Sequence, residues 1–181
     1  MPRSLFSLIV FVCITGTGMS QQFIPVDNGS AINFSIKNFG INTNGSFTGL
    51  EGKIRFMESD LNASLFDISV DVNTLTTGIK ARDNHLRKEE YFNAEKFPRI
   101  NFVSKKVLAT EKSGEYTITG TITIKGISKE ISFPVTVTKQ TDGLRFKTGF
   151  KLNRRDFKVG GSSIVLSDNL VVSLSLVAKK M

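Results

Sequence analysis

Apolar residues recur at every second position through most of the chain. Ile32, Phe34 and Ile36 share one parity against Asn33, Ser35 and Lys37, and Phe66, Ile68, Val70 and Val72 alternate with Asp67, Ser69, Asp71 and Asn73. Tyr116, Ile118, Ile122 and Ile124 face away from an all-threonine row, Thr117, Thr119, Thr121 and Thr123. The same rhythm returns in Ile131, Phe133, Val135 and Val137, in Leu144, Phe146, Phe150 and Leu152, and in Leu170, Val172, Leu174, Leu176 and Ala178. A period of two predicts strands with one apolar and one wet face. One-sided burial of this kind belongs to antiparallel pairing.

Turn signals punctuate the rhythm. Asn44-Gly45 and Asp142-Gly143 are hairpin dipeptides, and Gly126 closes the strand that carries Ile124. Pro134 inside a strand pattern predicts an edge or a bulge. Gly120, on an apolar face, predicts either a bend or room for something lying against that face. Only residues 77–97 break the pattern, with a charged, helical stretch. There Asp83 precedes Arg87 by four residues, the favourable order for a helical ion pair, and His85 and Glu89 repeat the spacing. Phe97 precedes Pro98, so the helix is expected to end before it.

About eight antiparallel strands with one apolar face must close on themselves or pack as two sheets. The expected class is all-β with one short helical insertion, in a single domain over residues 21–181. Residues 1–20 read as a cleaved signal peptide. Arg3 is followed by an apolar run over residues 5–14, then by small Gly16, Gly18 and Ser20, which makes Gln21 the mature N-terminus. The run is roughly half of the ~20 residues a spanning helix needs. Phe11 and Val12 stand where a lipidated Cys13 would need small residues. The expected location is the periplasm or the exterior.

Composition narrows the chemistry. Cys13 is the only cysteine and His85 the only histidine. Disulfides, thiolate nucleophiles and a histidine-rich metal site are therefore excluded from the mature chain. No nucleophile elbow or phosphate-cradling glycine loop accompanies His85. No enzyme activity, cofactor or metal is expected. The net charge of +8, or +7 without Arg3, favours anionic partners such as a membrane surface, with a merely solvated basic face as the plainer alternative. No nucleic-acid motif is present, and no feature specifies an oligomer. Fifteen phenylalanines, two of them in the leader, stand beside two tyrosines and no tryptophan. Rings without polar handles suit a wholly apolar cavity, but composition by itself favours a dry core.

The helical segment changes that reading. Arg82, Asp83, His85, Leu86 and Arg87 are followed by Tyr91 and Phe92, then Phe97-Pro98, then Phe102 and Ser104. This run closely resembles the signature of the YceI-like family of bacterial polyisoprenoid-binding proteins. Matching pieces flank it in order: Val26-Asp27; Gly45, Phe47, Gly52, Ile54 and Phe56; Gly120 with Ile122, Ile124, Lys125 and Gly126; and Asn153, Arg154, Asp156 and Phe157. Gly29 and Asn38 stand where the family often has histidines. The resemblance implies a lipocalin-like antiparallel barrel holding an isoprenoid-type lipid in an elongated apolar cavity.

Under that implication, the inward parity supplies the wall of the lipid site. It comprises Phe34 and Ile36, then Phe47, Ile54 and Phe56, then Ile68 and Val70, then Ile118 and Ile122. Phe133, Val135, Phe150, Val172 and Leu174 complete it. Each is also an ordinary core residue. Head-group candidates are Arg82 and His85, three apart on the helix, and Arg154, whose parity points it inward. An inward arginine needs an anion, and Asp156 or Asp83 is the expected structural partner if no ligand serves. The alternative function is a ligand-free structural or stress-response envelope module with a basic surface.

Overall fold

The alternating segments fold as eight strands in the computed structural model, which describes residues 21–181. The predicted signal peptide and Cys13 lie outside the described residues. The strands are β1 (Gln22–Asn38), β2 (Ile41–Arg55), β3 (Leu65–Thr76), β4 (Arg99–Ala109), β5 (Glu115–Ile124), β6 (Ile127–Gln140), β7 (Gly143–Asn153) and β8 (Leu166–Lys180). Each pairs antiparallel with the next, and β1 also pairs with β8. The result is a closed eight-stranded barrel complete within Gln22–Lys180. Closure pairs the first strand with the last, and that solves the exposure problem of one-sided strands. Among the described residues no helix is long and apolar enough to cross a membrane.

Up-and-down order sends all odd-numbered strands one way. One end of the barrel therefore gathers the β1–β2 and β5–β6 turns, the residues between β3 and β4, and those between β7 and β8. The other end carries the remaining loops.

One turn signal acts differently from expectation. Asn44-Gly45 is not a turn, because both residues lie inside β2, paired with Ser35 and Phe34. The β1–β2 turn is Phe39-Gly40, with φ of 50° and 76°, the positive pair that tight hairpins need. Gly45 is instead a close-approach site: a Cβ there would meet the Phe34 ring at 2.3 Å. Gly120 does the same for Phe102, whose ring would lie 2.6 Å from its Cβ. The β4 register also shifts opposite Gly120, between Ser104 and Lys106, so both expected roles occur there.

Pro134 marks a real discontinuity. The β6–β7 ladder runs only from Thr136↔Lys147 to Gln140↔Gly143, whereas β5–β6 pairing continues through Pro134 to Ile127. The Pro134 carbonyl faces β7, where it accepts the Thr148 hydroxyl. Its nitrogen faces the same way and has no hydrogen to donate, so the ladder stops. From Ile127 to Val135, β6 is an edge inside a closed barrel.

The helix is shorter than the pattern suggests. Only Lys80–Leu86 forms α1, and successive turns carry the chain on to Phe97. Asp83 and Arg87 do not pair as a salt bridge. Asp83 is buried and accepts from the Thr77 amide and the Thr77 and Thr76 hydroxyls. Arg87 donates to the β3 carbonyls of Asn73 and Leu75. These backbone acceptors end the strand beside the helix and outcompete a solvent-exposed pair. His85 and Glu89 are likewise not paired.

Candidate functional site

Along every strand the inward parity is apolar, yet its two halves have different fates. At the end away from α1 the barrel is filled. Phe56 packs edge-on against Tyr116 and Phe146, with centroids at 5.1 and 5.8 Å, and Phe66 meets Phe146 at 5.2 Å. Phe23, Leu176 and Ala178 are sealed among them. The Tyr116 hydroxyl reaches out to Glu58, and burial, with that carboxylate beside it, pushes the phenol above its ordinary pKa.

Toward α1 the same faces draw apart around a cavity of about 400 Å³. On β8 the lining runs from Leu176, past Leu174, Val172 and Leu170, to Leu166. Ten steps at roughly 3.3 Å make this about 33 Å of strand, so the space is elongated. Thirteen of the fourteen wall candidates line it: Phe34, Ile36, Phe47, Ile54, Ile68, Val70, Ile118, Ile122, Phe133, Val135, Phe150, Val172 and Leu174. Phe56 does not; it belongs to the aromatic plug beyond the floor. Phe133 and Phe150 stack at 4.6 Å across the place where the β6–β7 ladder is open.

The residues between β3 and β4 roof part of the mouth. Leu86, Tyr91 and Phe92 line the cavity, and Phe92 meets Phe47 edge-on at 5.8 Å. Periodicity misses these residues because they lie outside strands; only the paired aromatics of the signature mark them. The roof is anchored by Asp83, whose hydrogen bonds from Thr77, chiefly the side-chain one, hold its carboxyl below the usual carboxylate range despite burial. The Gly160 amide ties the second half of the roof to the Glu90 carbonyl at 2.8 Å.

The three head-group candidates separate by their partners. Arg154 is 5 % exposed and all five of its N–H groups are committed. They go to the carbonyls of Ser167, Val159, Gly161 and Leu166 and to the Asp168 carboxylate at 2.8 Å. Its partner is thus Asp168, not Asp156 or Asp83, because the chain after a 3-10 turn at Arg154–Phe157 curls back around the guanidinium. With no donor left, Arg154 holds the loop that forms this side of the mouth. Arg82 directs Nε and one Nη2 hydrogen to Thr77, which leaves three N–H groups without a bond to the described residues. His85 sits edge-on to Tyr91 at 5.0 Å. Both line the cavity, with Asn38, Thr43 and Thr77 forming the polar rim opposite and beside them. Among the described residues no three histidine, cysteine or carboxylate side chains converge to hold a metal.

A family model described as the YceI-like domain matches residues 25–178. Protein YceI of Salmonella arizonae is 28% identical over 163 residues, covering 85% of this chain and 84% of that protein. Among solved structures, Burkholderia cenocepacia BcnA superposes with a TM-score of 0.79 at 23% identity, over 84% of this chain and 98% of that one. The Campylobacter jejuni YCEI protein gives 0.69 at 28%, over 78% and 86%. A polyisoprenoid binding domain from Saccharophagus degradans gives 0.72 at 14%, over 90% and 99%. At 23% and 14% identity the BcnA and Saccharophagus degradans likenesses show the fold alone.

Proposed function

The chain belongs to the YceI-like family, and on that premise we propose that it is an exported protein that sequesters or carries a long isoprenoid-type lipid in its barrel. The observation that carries this reading is the apolar cavity, because the closed end demonstrates that the same parity can pack dry. At about 24 cal/mol per Å³, contacts across 400 Å³ correspond to on the order of 10 kcal/mol. A matching apolar guest recovers such contacts, at roughly 0.8 kcal/mol for each buried methylene. A long chain can then bind tightly without many polar contacts. The name of the Saccharophagus degradans domain points to the same ligand class.

Arg82 is the head-group residue we favour, since it lines the mouth with unused donors and has no carboxylate partner among the described residues. An anionic or carbonyl head group, as on a polyprenyl phosphate or a quinone, suits it. Export by a leader over residues 1–20 and binding without catalysis complete the proposal.

Organic extraction of the purified protein, followed by mass spectrometry, is expected to recover an isoprenoid. Native mass spectrometry is expected to detect uptake of an added polyprenyl phosphate from ethanol. Ile68→Trp, which fills the cavity from β3, is expected to abolish uptake while the barrel still folds. Absence of lipid from repeated extracts, with no uptake by the unmodified protein, defeats the proposal and favours a ligand-free envelope module.

A further inference from the structure

The mouth of the cavity has an apolar edge on its outside as well. Phe39 and Ile41 are each 73% exposed, Ile79 is 53% exposed and Ile164 is fully exposed. Asn38 is the cross-strand neighbour of both Ile41 on β2 and Leu166 on β8. The Phe39 amide donates to the Val165 carbonyl at 2.8 Å. The β1–β2 turn and the loop before β8 are therefore bound side by side, which brings Phe39, Ile41 and Ile164 to one stretch of rim. Ile79 follows β3, the other neighbour of β2, at the same end. Single exposed apolar residues are ordinary, but a group at one rim marks an interaction surface.

Phe39 is the most telling of them. Its φ of 50° is costly for a bulky side chain, where asparagine or glycine is at ease. The β5–β6 turn has the same positive pair and fills it with Lys125-Gly126. Neither turn geometry nor burial accounts for an aromatic ring at Phe39, and strain of this kind accompanies function.

Charge identifies the partner. Residues 37–50, 72–82 and 157–167, which carry all four apolar side chains, contain Lys37, Lys80, Arg82 and Lys158 and no aspartate or glutamate.

 Of the acids that flank these segments, Asp83 is buried and held by Thr76 and Thr77, Asp168 is paired with Arg154, and Asp156 stands beside Arg155. Loops at the opposite end of the barrel instead carry Glu58, Asp60, Glu111 and Asp142, with Lys112 as their one basic residue. The roof segment is mixed, with Glu89, Glu90 and Glu95 beside Lys88 and Lys96, so the basic and apolar edge is confined to the Phe39 side.

We propose that this edge, Phe39, Ile41 and Ile164 with Lys37 and Lys80, docks on the surface of an anionic lipid bilayer. Apolar side chains enter the headgroup boundary while lysines meet its negative charge. The cavity mouth then opens onto the membrane, and an apolar chain passes between bilayer and barrel with little exposure to water. The inference deepens the lipid-carrier reading by naming the surface from which the ligand is taken or to which it is given.

The test uses the chain from Gln21, since the barrel closes within Gln22–Lys180, and vesicles without isoprenoid. Co-sedimentation is measured with equal parts phosphatidylglycerol and phosphatidylcholine, and with phosphatidylcholine alone, at roughly 0.1 M salt. Binding is expected only when phosphatidylglycerol is present. The double variant Phe39→Asn/Ile41→Thr is expected to weaken it about tenfold, and asparagine suits the turn, so the fold is kept. Lys37→Gln/Lys80→Gln is expected to reduce both the lipid preference and the salt sensitivity. No vesicle binding by the unmodified chain, or equal binding by the Phe39/Ile41 variant, overturns the proposal. Self-association that Phe39→Asn abolishes, without vesicle binding, also overturns it and assigns the edge to a second copy. Uptake of polyprenyl phosphate from ethanol, measured on the same proteins, keeps the two readings apart. Its loss in the unmodified chain counts against the cavity as a lipid site and not against docking.

Discussion

Leu176 and Leu170 lie six residues apart on β8, with the same parity and the same side chain, and they stand at the two ends of the cavity. Leu176 is buried where the cavity meets the filled end, whereas Leu170 is half-buried on the cavity wall near the mouth. The contrast extends around the barrel. One end closes on Phe56, Phe66, Tyr116 and Phe146, and the other is held open beneath a roof of turns. The filled half supplies the stability that lets the hollow half remain hollow. Burial against many neighbours stabilises, while a wall facing a cavity has partners on one side only.

Paired truncations test this division most directly. Leu176→Ala is expected to cost about 3 kcal/mol, and Leu170→Ala about 1 kcal/mol, in denaturant unfolding. Equal losses would mean that the two ends are equally packed. Arg154→Met comes next, at about 3 kcal/mol. It leaves four carbonyls without their donor, although Asp168, half-exposed, regains water. Because the residue holds a loop of the mouth, hydrogen exchange is expected to rise first in residues 158–168 and least in the Phe56 cluster. Uniform loss of protection would make Arg154 a global core residue.

Phe39→Asn works in the other direction and is expected to stabilise the barrel by about 1 kcal/mol by relieving the positive φ. A lower melting temperature would show that the ring has a packing role. The smallest effect is a pH dependence confined to acid. Asp83 has a depressed pKa in the folded protein, so its contribution is fully present above the ordinary carboxylate pKa and fades as pH falls through the lower folded value. Unfolding free energy is expected to fall more steeply in that window for the native chain than for Asp83→Asn. Identical acid limbs would remove Asp83 as an anchor of the roof.

Much of this architecture was legible in the chain. Alternation identified the inward set, since a strand has only two faces, and thirteen of the fourteen wall candidates line the cavity. The misplaced features share a cause, which is that their partners are distant in sequence. Asn44-Gly45 has a hairpin composition, yet Gly45 serves the Phe34 ring across the β1–β2 ladder. Arg87 has a helical partner at the right spacing, yet the end of β3 offers it better acceptors. Arg154 finds Asp168 through a loop reversal that no periodicity encodes.

By itself the sequence determined the strands and their inward faces, because parity and turn residues act locally. Parity left barrel and sandwich open, the family resemblance implied the barrel, and only the tertiary structure decided that Phe56 fills one end while Phe34, Ile36 and Val172 stand around a space at the other. Parity states which way a side chain points. Whether it meets another side chain or a cavity depends on what closure brings opposite it, and packing is a property of the whole ring of strands.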